Sequence, residues 1–277
     1  MMPPPYSLLP KRLGFSFGGS GHLLVYHLGV AHSLLRHKTL MKRIKTLGGS
    51  SGGAIAAVAM ACSLAEDHSS RQLSSFLHSY AKQCQSLSGL EAIIPEDSTA
   101  MIFSPEFRPK LEISVTDCKT GENVLVSGFK NRKELIQAVR ASCHIPSSFH
   151  PVDMLKRKRT YALEDGLSIL HMPGTTYADG GLSEAIPDLQ LCDQTVKVSP
   201  ISGQSGKFGI CPESFGFRIG RRYFAGQKVD LSFENLKRLN ISIFGDEPNT
   251  LCQLFEEGEQ DLMNWSNNFE ILNDESS

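Results

Sequence analysis

The stretch Leu47-Gly48-Gly49-Ser50-Ser51-Gly52-Gly53-Ala54 reads as a strand running into a helix through a tight, glycine-flanked turn. Ile44 to Leu47 reads as a strand end, and Ala54 to Ala65, rich in alanine and free of proline and glycine, reads as helix. A serine on such a turn is the G-x-S-x-G arrangement. Its glycines permit a bend that a Cβ would obstruct, so the hydroxyl is pushed clear of the backbone. The free N–H groups and positive dipole end of the following helix point at the same place, where they favour negative charge on a substrate oxygen. Two registers satisfy the spacing, centred on Ser50 or on Ser51, and spacing alone does not choose. We take Ser51, with Gly49 and Gly53 as the elbow glycines, because Gly53 then falls in the first helical turn, where a missing side chain lets helix and strand pack closely. A glycine- and serine-rich turn without chemistry is the plainer alternative, and context has to decide.

That context begins earlier. Leu13 to Phe17 alternates like a strand, Gly18-Gly19-Ser20-Gly21 breaks it, and His22 to Arg36 resumes with apolar residues at helical spacing. The glycines give G-x-G-x-x-L, with Leu24 where a dinucleotide site needs its third glycine, and no G-x-x-x-x-G-K-[ST] motif occurs. The remaining use for such a loop is a nest of backbone N–H groups, which a serine nucleophile needs as an oxyanion hole. An ordinary connecting loop is the competing reading.

With 28 Lys+Arg against 29 Asp+Glu the formal net charge is −1, so the chain has no overall field of the kind a nucleic-acid binder uses. Seven cysteines form no C-x-x-C pair and no regular framework, which fits a reducing compartment. The start of the chain lacks a charged and apolar leader and reads as a disordered tail over residues 1–11. The apolar helix after the serine, about 12 residues, is too short for a bilayer, which needs ~20. A cytoplasmic protein, peripheral to membranes if it meets them, is expected.

Further along, His68 to Ser88 reads as a surface helix and Ile93 to Pro109 as an irregular connection. Leu111–Thr116 and Asn123–Val126 flank a turn cluster and form a hairpin, and Lys133 to Ser142 is a short helix stopped before Pro146. The basic run Lys156 to Arg159 lies in a long loop reaching to about Thr176, either solvated or touching anionic headgroups. Next, Asp179 stands at a strand end before Gly180-Gly181, a place for an acid at a rim but also a common turn. Thr195 to Ser199 is a further strand. Phe208 to Phe224 interleaves aromatics with arginines, suiting a lipid interface or packing on the sheet equally well. Two helices are expected on either side of Pro248.

A serine nucleophile needs a base. No histidine follows His171, and His144, His150 and His171 have no acid in a recognisable supporting context. Phe15-Ser16-Phe17 leading into Gly19-Ser20-Gly21, then Val25 to Val30, then Gly49 to Ala54, and finally Tyr177-Ala178-Asp179-Gly180-Gly181 resemble the signature blocks of the patatin-like phospholipase family in their order, most of all its adipose triglyceride lipase branch. Gly121–Ser127, Glu134–Ala138 and Val198–Gly203 are similar to that branch too, so the resemblance covers most of the chain.

The resemblance implies a three-layer α/β/α sandwich with a mainly parallel central sheet: a catalytic domain over 12–205, with 206–277 as a helical extension packed on it. It implies a Ser51–Asp179 dyad instead of a triad, an oxyanion hole around Gly19, Ser20 and Gly21, an acyl-serine intermediate, and neither metal nor organic cofactor. Asp179 would act as base, a task for which an ordinary Asp pKa of about 3.9 is poor and partial burial helps. The implied substrates are acylglycerols or glycerophospholipids at a membrane or lipid-droplet surface. Acyl transfer by the same serine, or a weakly active lipid-surface adaptor, are the alternatives. Leu24 for glycine, Gly52 for a commoner alanine, and the length of the loop before Asp179, with its decoy Asp165-Gly166, depart from the family pattern.

Overall fold

The computed structural model describes residues 7–65, 94, 101–147, 165–169, 172–204, 206–213 and 218–270. In chain order these form β1 (Ser7–Leu8), β2 (Leu13–Phe17), α1 (Leu24–Arg36), α2 (Lys38–Arg43), β3 (Ile44–Ser50), α3 (Gly52–Ala65), β4 (Lys110–Asp117), β5 (Asn123–Val126) and α4 (Arg132–Ser142). There follow β6 (Leu167–Ile169), β7 (Met172–Asp179), β8 (Gln194–Val198), β9 (Gly209–Ile210), β10 (Arg218–Phe224), β11 (Gln227–Ser232), α5 (Phe233–Phe244), α6 (Pro248–Ser266) and β12 (Phe269–Glu270).

The main sheet has eight strands in the order β6-β7-β4-β3-β2-β8-β9, with β5 also paired to β4. From β4 to β9 every pairing is parallel, whereas β5, β7 and β6 join antiparallel at the β4 side. The α/β class expected from the strand–helix alternation is what the chain adopts. All five residues of β2 are buried, as a central strand covered on both faces requires. Phe15 meets Trp265 of α6 edge-on, Phe17 meets His27 of α1, and Gly14 on the opposite face sits against Leu189 and Cys192. Helix α3 is buried on every side from Gly52 to Leu64 and is the spine of the core.

The loop expected to run to Thr176 is, in its described part, the β6–β7 antiparallel pair, with Leu167 opposite Tyr177. Pro173 and Gly174 broke the alternation that would have revealed it. The expected helix His68–Ser88, the basic run Lys156–Arg159, and His150 and His171 lie outside the described residues. After residue 206 the chain adds β9 to the main sheet and the separate β10–β11 hairpin, besides the two helices divided at Pro248.

Helices α1 and α6 lie so close that a Cβ on Gly29 would stand 1.9 Å from the Phe255 carbonyl oxygen, and one on Gly258 2.2 Å from that of Tyr26. Between them the Tyr26 hydroxyl donates to Asp261 at 2.7 Å and His32 pairs with Glu259 at 2.6 Å. Buried His27 and half-buried Asp261 oppose each other in acid. Burial pushes His27 from its ordinary 6.5 down to about 4, against a smaller raising effect of its bond to the Gly18 carbonyl. Burial pushes Asp261 from 3.8 up to about 6, partly offset by the Tyr26 hydroxyl.

Between pH 6.5 and 4 the unfolded chain binds more protons at His27, so stability falls as pH drops. Between pH 6 and 3.8 the folded chain binds more protons at Asp261, so stability rises as pH drops. Asp261→Asn removes the second contribution. Its stability relative to wild type, measured by denaturant unfolding, is expected to fall by about 1 kcal/mol between pH 7 and pH 4.5, the partial exposure of Asp261 screening the rest. An unchanged difference would mean that Asp261 does not titrate in this window.

Candidate active site

β3 ends at Ser50, α3 begins at Gly52, and Ser51 alone forms the turn, with φ of +52° in the left-handed region that side chains rarely occupy. The strain has a cause in packing. A Cβ on Gly49 would meet the Phe17 carbonyl oxygen at 2.3 Å, and one on Gly53 would meet it at 2.1 Å, so α3 leaves β3 tightly against the end of β2. Ser50 and Ser51 then face different surroundings. Ser50 is fully buried and donates its hydroxyl to the Ala185 carbonyl at 2.6 Å, whereas Ser51 keeps part of its surface open.

The glycine loop lies against this elbow. A Cβ on Gly19 would be 3.8 Å from the Ser51 Cβ and 3.8 Å from the Gly181 Cα, so loop, elbow and Asp-Gly-Gly turn meet at one place. The Gly19 N–H is committed to the Ala185 carbonyl at 2.9 Å. Among the described residues the N–H groups of Ser20 and Gly21 carry no protein partner, and neither does that of Gly52, because the first intrahelical bond of α3 is Ala54 N–H to the Ser51 carbonyl. Gly52 instead of alanine makes room for a hydroxyl: a Cβ there would lie 2.5 Å from Ser20 Oγ. Leu24, in place of the third glycine, is a buried residue opening α1 and takes no backbone donor away.

Asp179 ends β7, opposite Val115, and is 4 % exposed. Its carboxylate accepts the Gly181 N–H at 2.8 Å, its own N–H donates to the His144 carbonyl at 2.7 Å, and its carbonyl accepts the Thr116 hydroxyl at 2.7 Å. Gly180 is obligatory because a Cβ would stand 2.2 Å from the Ser114 carbonyl oxygen of β4. Asp165 is no rival. It accepts both the N–H and the hydroxyl of Ser147, while the His144 ring bonds the Asp165 carbonyl at 2.8 Å.

Three residues brace the site from the end of α4, of which the sequence singles out only His144, and that as a candidate base. The Ser142 hydroxyl accepts the Ser51 N–H at 2.9 Å and donates to the Ser114 carbonyl at 2.7 Å. The Cys143 thiol sits beside Ser51 and Asp179: burial first, then the negative charge of Asp179, push its pKa up against a smaller lowering by Ser51, so it stays a neutral thiol. His144 holds Asp179 by its carbonyl, as described above. Nothing in Ser142-Cys143-His144 announces this role, which depends on a contact 91 residues away in sequence.

Among the described residues no group of three or more His, Cys, Asp or Glu side chains lies together as a metal site, and no helix is long and apolar enough to cross a membrane. The arrangement can present a hydroxyl, a buried carboxylate and unpaired N–H groups to one carbonyl.

Comparison with known sequences gives this a context. The profile of the family described as Patatin-like phospholipase matches residues 15–190. The chain is 30 % identical over 267 residues to patatin-like phospholipase domain-containing protein 4 of Homo sapiens, spanning 91 % of this chain and 96 % of that protein. It is 30 % identical to patatin-like phospholipase domain-containing protein 2 of Bos taurus over 96 % of this chain and 53 % of that protein. It is 28 % identical to a 1-acylglycerol-3-phosphate O-acyltransferase of Mus musculus, spanning 90 % of this chain and 57 % of that one. The chain thus covers nearly all of the first relative and little more than half of the other two.

Proposed function

We propose, for a chain that belongs to the patatin-like phospholipase family and is therefore a lipid hydrolase, that Ser51 and Asp179 form its catalytic dyad. The observation that carries this is the left-handed Ser51 on the β3–α3 turn, with the glycine loop and the Asp179-Gly180-Gly181 turn converging on it. In the reaction the Ser51 oxygen attacks the ester carbonyl while its proton passes to the Asp179 carboxylate. The oxyanion is held by N–H groups of Ser20, Gly21 and Gly52, the Gly19 N–H being engaged elsewhere. Collapse returns the proton to the leaving alcohol and leaves an acyl-Ser51 ester. Water then attacks that ester, giving its proton to Asp179, which passes it to the departing Ser51 oxygen as the fatty acid is released.

The substrates we assign are acylglycerols or glycerophospholipids, met at a membrane or lipid-droplet surface by a peripheral, cytoplasmic protein. The catalytic groups fall between Gly19 and Gly181, within the 12–205 unit taken as the catalytic domain. Residues 206–277 then support it through α5 and α6.

The name of the mouse relative gives acyl transfer a place beside hydrolysis. Both share the acyl-serine and differ in whether an alcohol or water accepts it. Incubation with labelled diacylglycerol, with and without lysophosphatidic acid, is expected to yield free fatty acid as the main labelled product, and a serine-directed phosphonate is expected to label Ser51. A main product of acylated lysolipid would replace hydrolase by acyltransferase, and absence of both products and of labelling would remove the enzymatic reading.

A further inference from the structure

Helix α5 is amphipathic with its polar side turned inward. Asn235 is buried, accepts the Ser202 N–H at 3.1 Å, and donates to the carbonyls of Ser202 at 2.9 Å and Asp230 at 2.7 Å. Arg238 donates to the Pro200 carbonyl at 3.0 Å and forks onto Glu257 of α6 at 2.5 and 2.6 Å. Ser242 donates to the Ser20 carbonyl at 2.9 Å. Apart from buried Ile241, which packs with Leu23, Val25, Leu251 and Leu254, these polar bonds attach the helix, and its other large apolar side chains are outside. Phe233, Leu236, Ile243 and Phe244 are between 60 and 81 % exposed. Their spacing puts them on one stripe opposite Asn235, Arg238 and Ser242. Water-soluble surfaces seldom carry such a stripe unless something covers it.

We propose that this stripe is the docking surface by which the protein sits on an anionic phospholipid surface. Charge argues for that occupant over a second copy of the chain. Although the chain carries −1 overall, and Arg221 and Arg238 are tied to Asp230 and Glu257, the stretch formed by β10, β11 and α5 also sets Arg222, Lys228 and Lys237 against Glu234. Cations beside an inserted apolar face add attraction to anionic headgroups. Ile219 and Tyr223, four apart on β10, are also exposed, on the hairpin that runs directly into α5 at its cap Ser232. An aromatic ring with a polar tip suits the headgroup boundary.

Position argues for it as well. On its inner side α5 touches the glycine loop so closely that a Cβ on Gly21 would stand 2.2 Å from the Ser242 carbonyl oxygen. A surface that receives α5 therefore lies beside the loop whose N–H groups serve the site. The choice of a lipid occupant rests on the hydrolase reading above.

The test uses full-length protein carrying Ser51→Ala, so that vesicles survive, with and without Leu236→Ser, Ile243→Ser and Phe244→Ser together. Binding is read by flotation with phosphatidylcholine vesicles that contain or lack phosphatidylserine. The triple variant is expected to bind at least about tenfold more weakly, since withdrawing a single large apolar side chain from water is already worth about a factor of ten. Arg222→Glu with Lys237→Glu is expected to weaken binding only where phosphatidylserine is present. With Ser51 restored, the triple variant is expected to hydrolyse a soluble short-chain ester like wild type, which shows that it folds. Undiminished vesicle binding by the triple variant overturns the proposal, as does absence of binding by the parent. So does a change of oligomeric state in light scattering with lipid binding intact, which would make the stripe a self-interface. A wild type that docks through α5 yet hydrolyses no soluble ester would leave the docking surface standing and remove the hydrolase reading.

Discussion

Ser51→Ala is expected to lower fatty-acid release by on the order of 10⁵-fold, because deleting the nucleophile leaves only binding and the oxyanion donors. Asp179→Asn removes the base but keeps a side-chain oxygen to accept the Gly181 N–H, so the turn survives and the expected loss is about 10³- to 10⁴-fold. Ser50→Ala is the control that separates the registers. It deletes the bond to the Ala185 carbonyl, which still accepts the Gly19 N–H, so we expect about 1 kcal/mol of lost stability and activity within tenfold of wild type. All three are measured on mixed acylglycerol and phospholipid emulsions, with unfolding curves alongside. Full activity in Ser51→Ala with a dead Ser50→Ala would reverse the register, and full activity in a folded Asp179→Asn would require another base. His144 is the natural next candidate, and its ring is already engaged by the Asp165 carbonyl.

The elbow was legible because its constraints are local. Glycines at Gly49 and Gly53 can be read against the hydrophobic run that follows, and both prove to be positions where a side chain has no room. What distinguishes Ser51 from Ser50 is a backbone angle and the burial of one hydroxyl, and neither is written in the pentapeptide. The brace from Ser142, Cys143 and His144 stayed hidden for the opposite reason: it is non-local, and a Cys-His before a proline reads as an ordinary turn.

The strand end at Asp179 is legible in the sequence, but β6 and the first part of β7 are not, because an edge pair interrupted by Gly166, Pro173 and Gly174 lacks a clean period of two. Helix α5 was foreseen as a helix but not its orientation. Periodicity reports that a helix has an apolar stripe and leaves open which way it faces, and here side-chain hydrogen bonds from Asn235, Arg238 and Ser242 turn the polar side to the body.

Helix α1 connects this architecture to the chemistry, and Gly29→Ala is expected to destabilise the protein by about 3 kcal/mol or more. In an isolated helix the same change is favourable by ~1 kcal/mol, since alanine is the better helix former. The sign is therefore decided by the neighbour. A Cβ at this position lies 1.9 Å from the Phe255 carbonyl oxygen, and backbone, unlike the end of a flexible side chain, cannot swing aside. The helices must separate by more than 1 Å, loosening the Tyr26–Asp261 and His32–Glu259 contacts and the packing of Phe15 on Trp265 in the same movement.

Gly258→Ala makes the reciprocal clash with the Tyr26 carbonyl oxygen at 2.2 Å. Once one substitution has forced the helices apart the second has less left to disturb, so the double variant is expected to be less destabilised than the two single changes summed, by about 1 kcal/mol or more. Denaturant unfolding of the four proteins decides it. Strict additivity would mean that the two glycines relieve separate clashes, and a stabilised Gly29→Ala would mean that α1 and α6 do not approach this closely. Because α1 follows the glycine loop directly and His27 bonds the Gly18 carbonyl at 2.9 Å, a shifted α1 also drags the glycine loop that lies against Ser51. Gly29→Ala is thus expected to lower turnover by about tenfold at a temperature where the protein is still folded, although it lies outside the site.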